Sequence, residues 1–416
     1  MMKVFLIVID GLGDLEKNGK TPLSLAKKKK LNFLAKNGLC AISYPIERGI
    51  VPGSDTGHLA LFGYDPYKYY VGRGILEALG SNIRIYEGDV AFRANFATCS
   101  KFEITDRRAG RIDEESAKKL AKEIEHLKIK DFDFFFYHTK GHRGVLIIRG
   151  RASPLVTDTD PHSLGKISWS KGITDEGNET AKAINEWTKE VNKILEKSEI
   201  NKERKKKNIP QANIVLLRGG SSIVKGKYFE GATYFGPYVK EPIRVETFEE
   251  RYGLKASCIA GGALYKGIGK YLGMDVIELK RATADQNTDL EEKFSKGVSE
   301  IQKKDFVFLH IKGCDPLGHD GKFDEKRKFI EKIDKCIPDE IIKDKDILTI
   351  VTSDHSTPCS FKSHSAHPVP IVFYNCGRRN NVKSFDELSC SVMEIKHLDV
   401  MPMVLGMINK AKMYGS

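Results

Sequence analysis

An α/β fold with a mainly parallel sheet flanked by helices, interrupted by an inserted smaller domain, is what this 416-residue sequence predicts. Three observations lead there. Short apolar runs rich in β-branched residues alternate with longer helix-like stretches, the pattern of strands buried on both faces between helices. Residues suited to metal chemistry gather in 10–58 and again in 315–367, so these two stretches should fold together. The stretch between them has its own strand and helix signals and reads as an insertion.

In chain order, the strand signals are 4–9, 145–148, 214–217, 306–311, 347–352 and 369–374. Helix-like segments cover 114–127 and 179–195, and a charged helix and linker over 185–211 belongs to the insert. The expected boundaries are a core of 1–70 with 246–416, and an insert of 71–245. A chain of this length can bury two cores.

Bulk properties narrow the function. No apolar run approaches the ~20 residues of a membrane helix. Residues 4–9 are followed at once by Asp10 and Gly11, which suits a buried strand better than a signal peptide. The eight cysteines are scattered singly with no C-x-x-C pair, as expected for reduced thiols, and a cytoplasmic location follows. The net charge of +12 lies largely in lysine runs at 27–30 and 202–207. Without interleaved aromatics or a nucleic-acid module, these read as solvated helix ends and a loop. Neither nucleic acid nor membrane is an expected partner, and nothing in the sequence sets an oligomeric state.

Candidate chemistry sits at strand ends. Asp10 follows the first apolar run directly, where open α/β sheets place ligands, although Asp-Gly is also a common turn pair. Ser54, in Pro52-Gly53-Ser54-Asp55-Thr56-Gly57-His58, precedes an apolar stretch and reads as a serine at a helix N-terminus. That is both a place for an anion and a place for an ordinary capping serine. Asp315 and His319 follow the run at 306–311, and Asp354 and His355 follow the run at 347–352. His364 and His367 come next. Three strand ends carrying carboxylate or imidazole favour a metal site, and the mixed oxygen and nitrogen donors suit manganese, zinc or cobalt over calcium.

Taken together, Asp10-Gly11, Gly53-Ser54-Asp55-Thr56-Gly57-His58, Asp315-x-x-Gly318-His319-Asp320-Gly321 and Asp354-His355-Ser356-Thr357-Pro358-Cys359 followed by His364 form an ordered set. The insert adds Asp89-Val90-Ala91-Phe92-Arg93, Asp106-Arg107-Arg108-Ala109-Gly110-Arg111 and His142-Arg143-Gly144. Over essentially its whole length the chain resembles the archaeal-type 2,3-bisphosphoglycerate-independent phosphoglycerate mutases of the alkaline phosphatase superfamily. The resemblance implies an alkaline-phosphatase-like core and two divalent metal ions. One is expected on Asp10, Ser54, Asp354 and His355, the other on Asp315, His319 and His364. His367 stands where the family often has an acidic or amide residue and is not expected to be a ligand.

The same resemblance implies an isomerase of glycolysis and gluconeogenesis, interconverting 3-phosphoglycerate and 2-phosphoglycerate through a phosphoserine at Ser54. Another phosphotransferase, phosphatase or phosphodiesterase of the superfamily, acting on a small phosphorylated metabolite, would keep the same core residues. Retaining glycerate is the expected task of the insert. Arginine forks bind carboxylate and phosphate at two points. The candidates are Arg93, Arg107, Arg111, Arg143 and Arg218, with Asp106 and His142 for hydroxyl contact or proton transfer. Asp160, His162, Lys266 and Lys312 are weaker candidates.

Overall fold

The computed structural model describes residues 2–224 and 233–413. The chain divides into two compact units, Met1–Tyr70 with Glu246–Ser416, and Val71–Val245.

The larger unit is built on an eight-stranded sheet. Its order is Asp275–Val276, Ala256–Ile259, Phe306–Ile311, Lys3–Ile9, Ile347–Thr352, Val369–Tyr374, Gly38–Tyr44 and Glu394–Lys396. Every neighbouring pair in the first five is parallel. Only Val369–Tyr374 runs against the rest, antiparallel to both of its neighbours. Phe306–Ile311 and Ile347–Thr352 are buried at every residue, which is why they read as mostly apolar runs. Phe5, Ile7, Ile9, Val307, Leu309, Ile311 and Val351 pack with Leu31, Phe294, Ile330 and Ile333 in the core on one face of this sheet.

The smaller unit has a different sheet. Strands Val90–Ser100, Arg143–Arg149, Phe132–Lys140 and Ile214–Val224 are joined antiparallel throughout. The apolar runs at 145–148 and 214–217 therefore belong to an antiparallel sheet, and the insert is α+β. One face is covered by helices Glu114–Glu123 and Asn178–Lys197, with Phe92, Phe96, Phe134, Trp187 and Leu195 in the shared core.

Two local expectations need correction. The helix that begins at Glu114 ends at Glu123, and His126–Ile129 turns back as a strand paired with Phe132–Phe135. The lysine run at 202–207 is no loop. It forms most of helix Glu199–Lys206, held through Arg204, whose guanidinium donates to the carbonyls of Ala109 and Pro210.

Buried imidazoles give the larger unit a pH dependence. Burial lowers His58 to about 4 and both His310 and His397 to about 3, against an ordinary value of 6.5. Unfolding lets all three take protons, so their contribution is complete above about pH 6.5 and is lost as pH falls toward 4. Metal-free protein is expected to lose on the order of a few kcal/mol between these limits. Urea midpoints measured at pH 7.5, 6.0 and 5.0 test this, and a flat series would contradict three neutral buried imidazoles.

Candidate metal and phosphoryl-transfer site

Parallel register builds the site in the larger unit. Lys3–Ile9 lies between Phe306–Ile311 and Ile347–Thr352, with Ile9 opposite Ile311 and Val8 opposite Thr352. The carboxyl ends of three adjacent strands therefore come level, and Asp10, Asp315, Asp354 and His355 emerge at one edge. Gly11, with φ +66°, allows the close approach. A Cβ there would lie 2.7 Å from Asp315 Cα. Ser54 is the first residue of helix Ser54–Leu61. That helix comes so close that a Cβ on Gly57 would sit 2.5 Å from the Asp354 carbonyl oxygen.

Two groups of ligand atoms result, each with its atoms within 4.8 Å of one another: Asp315, His319 and His364, and Asp10, Asp315 and His355. Asp315 belongs to both. Ser54 Oγ lies 3.1 Å from His355 Nε2, which is 3.2 Å from Asp354 Oδ2 and 3.7 Å from Asp10 Oδ1. The Gly11 N–H donates to Asp354 Oδ1 at 3.2 Å. Ser54, Asp10, Asp315, Asp354 and His355 are all buried.

Hydrogen bonds assign the proton on each imidazole of the site. His319 Nδ1 is 2.9 Å from the Lys362 carbonyl, and His364 Nδ1 is 2.9 Å from the Pro52 carbonyl. A carbonyl only accepts, so both rings carry their proton on Nδ1. The Thr357 hydroxyl donates to Asp315 Oδ1 at 2.9 Å, leaving its oxygen to accept from His355 Nδ1 at 3.1 Å. All three rings then turn Nε2 toward the carboxylates and the Ser54 hydroxyl. His319 Nε2 and His364 Nε2 each face Asp315 Oδ1 at 3.3 Å, acceptor against acceptor unless a cation or a proton lies between. Orientation of ligand imidazoles through their far nitrogen is the usual arrangement at a metal. These residues fit divalent cations.

The electrostatics agree. Burial would raise the Asp10 carboxyl, but the Lys312 ammonium and the His310 hydrogen bond outweigh it and hold Asp10 below the usual range. Asp315 is likewise held low, against its burial, by Lys312 and the two imidazoles. Asp354 goes the other way, raised by burial and by the nearby charge of Asp10. Lys312 donates to Asp10 Oδ1 at 3.0 Å and Asp315 Oδ2 at 2.8 Å. Lys266 instead pairs with Glu278, and His367 Nδ1 lies 3.0 Å from Ser365 Oγ.

In the smaller unit, register gathers arginines. Arg93 lies opposite Arg218 on one side, while Asn95, two residues on, lies opposite Arg143 on the other. Side chains of Arg93, Arg218 and Arg143 thus share one face of the sheet, a like-charge arrangement that costs stability unless an anion offsets it. Glu77 partly does so, accepting from Arg93 Nη1 at 3.1 Å and Arg73 Nε at 3.2 Å. The buried Nε atoms of Arg93 and Arg143 have no hydrogen-bond partner among the described residues. Burial and the neighbouring arginines, Arg143 foremost, lower His142 to about 3.

The segment 106–111 is arranged otherwise. Asp106 closes its own turn by accepting from the Arg108 and Gly110 N–H groups. Arg107 forms a two-point pair with Asp160, whose Oδ1 also accepts from the His162 N–H. Ala109, Gly110 and Arg111 all have positive φ, at +48°, +65° and +55°.

Several residues escaped sequence reasoning. Thr357, His58 and His310 are polar neighbours of the ligands: His310 Nε2 lies 2.9 Å from Asp10 Oδ2, and His58 Nδ1 lies 3.4 Å from Asp354 Oδ2. Arg73 and Glu77 complete the arginine group. A buried-strand histidine two residues before Lys312 was the one available signal for His310.

Known proteins with similar sequences and structures agree with one another. The family model described as 2,3-bisphosphoglycerate-independent phosphoglycerate mutase matches residues 35–201. A protein of that name from Methanocaldococcus jannaschii is 40% identical, covering 100% of this chain and 99% of the relative. A namesake from Thermococcus kodakarensis is 39% identical at the same coverages. Among solved structures, the cofactor-independent phosphoglycerate mutase of Thermoplasma acidophilum matches with a TM-score of 0.65 and 32% identity. That match covers 98% of this chain and 100% of the other. A Pyrococcus horikoshii protein matches with a TM-score of 0.81 and 30% identity, covering 100% and 99%.

Proposed function

The chain belongs to the 2,3-bisphosphoglycerate-independent phosphoglycerate mutases, and from that membership we propose how its residues interconvert 3-phosphoglycerate and 2-phosphoglycerate. The observation that carries the proposal is the set of three imidazoles held through Nδ1 with Nε2 turned toward buried carboxylates, and the Ser54 hydroxyl among them.

Asp315, His319 and His364 would hold one divalent cation, and Asp10, Ser54, Asp354 and His355 would hold a second. Manganese, zinc or cobalt held there would supply positive charge to favour the ionised serine hydroxyl and to offset charge on the phosphoryl oxygens. Ser54 Oγ gives up its proton as it attacks phosphorus, the ester bond to glycerate breaks, and the departing glycerate oxygen takes up a proton, so that none is gained or lost overall. The second half repeats these events in reverse with the other glycerate hydroxyl as nucleophile, which regenerates free Ser54. Between the halves glycerate must stay bound and water stay out. Arg93, Arg143 and Arg218 supply the affinity for its carboxylate. His142, neutral near pH 7, accepts or donates a hydroxyl hydrogen bond. Asp106, Arg107 and Arg111 serve the same ligand from the neighbouring turn.

The test is to follow 2-phosphoglycerate and free phosphate side by side, with and without added 2,3-bisphosphoglycerate. Mutase activity indifferent to the bisphosphate is expected, and an absolute requirement for it would defeat the phosphoserine scheme. Arg143→Ala should leave metal content unchanged but weaken substrate binding by about 10- to 100-fold, the worth of a charge-assisted hydrogen bond. Phosphate release should rise relative to product, because glycerate escapes before it can recapture the phosphoryl group. A wild-type ratio together with wild-type affinity would remove the arginines from this role and favour a phosphatase.

A further inference from the structure

The metal-ligand loops after Lys3–Ile9 and Ile347–Thr352 are joined by a single buried ammonium. Lys326, on helix Phe323–Cys336, is fully buried and uses its three donors on both loops. It reaches the Gly13 carbonyl at 3.2 Å, Asp14 Oδ2 at 2.9 Å and the Thr357 carbonyl at 3.0 Å. Asp14 continues the joint by accepting from the Cys359 N–H, at 3.1 and 3.2 Å to its two oxygens. The Thr357 N–H returns to Gly13 O at 3.0 Å.

These contacts lie close to the ligands in sequence without touching them. Gly13 is three residues beyond Asp10, and Thr357 is two beyond His355. The Thr357 hydroxyl is the group that touches both Asp315 and His355. Fixing the Thr357 main chain therefore fixes the hydroxyl that sets the His355 proton and orients Asp315. We propose that Lys326, with Asp14, is a positioning residue that holds the ligand loops in metal-binding geometry before any metal arrives. This inference rests on the metal-site reading above and adds a determinant to it. A buried ammonium left without its carboxylate, or the reverse, is costly, so the pair is also expected to hold firmly.

The decisive measurement is Mn2+ affinity by titration calorimetry on chelator-stripped, full-length protein. Lys326→Met is expected to weaken affinity at least about tenfold, the usual effect of losing an outer partner of metal ligands. In the metal-free state it should speed hydrogen exchange at the Thr357 and Cys359 amides. Lys28→Met is the comparison: Lys28 is equally buried but donates to Ser384. It should lower the melting temperature and leave Mn2+ affinity at the wild-type value. If Lys326→Met fails to fold, Asp14→Asn, which keeps both carbonyl contacts of Lys326, should still weaken Mn2+ binding measurably. A folded Lys326 or Asp14 variant with wild-type affinity and wild-type exchange would overturn the inference alone. Wild-type protein that bound no Mn2+ would overturn the metal-site reading and this inference together.

Discussion

Ser54→Ala should reduce interconversion of the two phosphoglycerates by on the order of 10^4-fold or more, the scale of loss when a covalent nucleophile is removed. Its structural effect should be small by comparison. Among the described residues Ser54 Oγ has a single side-chain hydrogen-bond partner, His355 Nε2, and the helix it begins is anchored by other contacts, among them the His58 Nδ1 bond to the Ser54 carbonyl. Losing one hydrogen bond amounts to about 1 kcal/mol. Six other expected ligands remain, so far-UV circular dichroism and metal content should stay near wild type while turnover disappears. Retention of a sizeable fraction of the rate in a homogeneous Ser54→Ala preparation would rule out the phosphoserine route.

Metal removal should be equally complete, and it should be reversible. Dialysis against a chelator is expected to abolish activity, and added Mn2+, Co2+ or Zn2+ to restore it. Among ligand substitutions, Asp315→Ala should be the most damaging. Its carboxylate belongs to both groups of ligand atoms, faces His319 and His364 through Oδ1, and takes the Lys312 ammonium on Oδ2. Asp315→Ala should therefore lower the affinity of both ions, whereas His319→Ala should lower that of one. Elemental analysis against a titrated metal series separates the two cases. Equal stoichiometry and affinity in the Asp315 and His319 variants would contradict the shared position of Asp315.

How much of this was legible in the sequence depended on what each strand buries. Phe306–Ile311, Ile347–Thr352 and Val369–Tyr374 coincide with mostly apolar runs because both of their faces are covered. Gly38–Tyr44 and Val90–Ser100 gave no such signal. Gly38, Cys40 and Ser43 dilute the first, while Arg93 and Asn95 break the second. In Val90–Ser100 the interrupting residues are those that share a face with Arg218 and Arg143, so chemistry obscured the strand pattern there. Asp10, Asp315, Asp354 and His355 were legible as a set, because three strand ends carrying carboxylate or imidazole are harder to explain as ordinary turns than any one of them alone. Glu77 and Arg73 were hidden in a helix whose sequence, Arg-Gly-Ile-Leu-Glu-Ala-Leu-Gly, reads as ordinary amphipathic spacing. Thr357 and Lys326 were invisible for a related reason. Threonine in a loop and lysine in a charged helix are the commonest of surface residues, and only tertiary packing makes them interior.

The central place of Lys3–Ile9 in its sheet also bears on how the chain is made. Lys3–Ile9 leaves the ribosome long before either of its sheet partners, Phe306–Ile311 and Ile347–Thr352. Translation at ~5–20 residues per second puts about 15–60 s between its emergence and that of the first partner. Throughout that interval a run of six apolar residues has no sheet to join, while the contiguous segment Val71–Val245 can already complete its own antiparallel sheet. The larger unit is therefore completed after the smaller one, by closure of long loops.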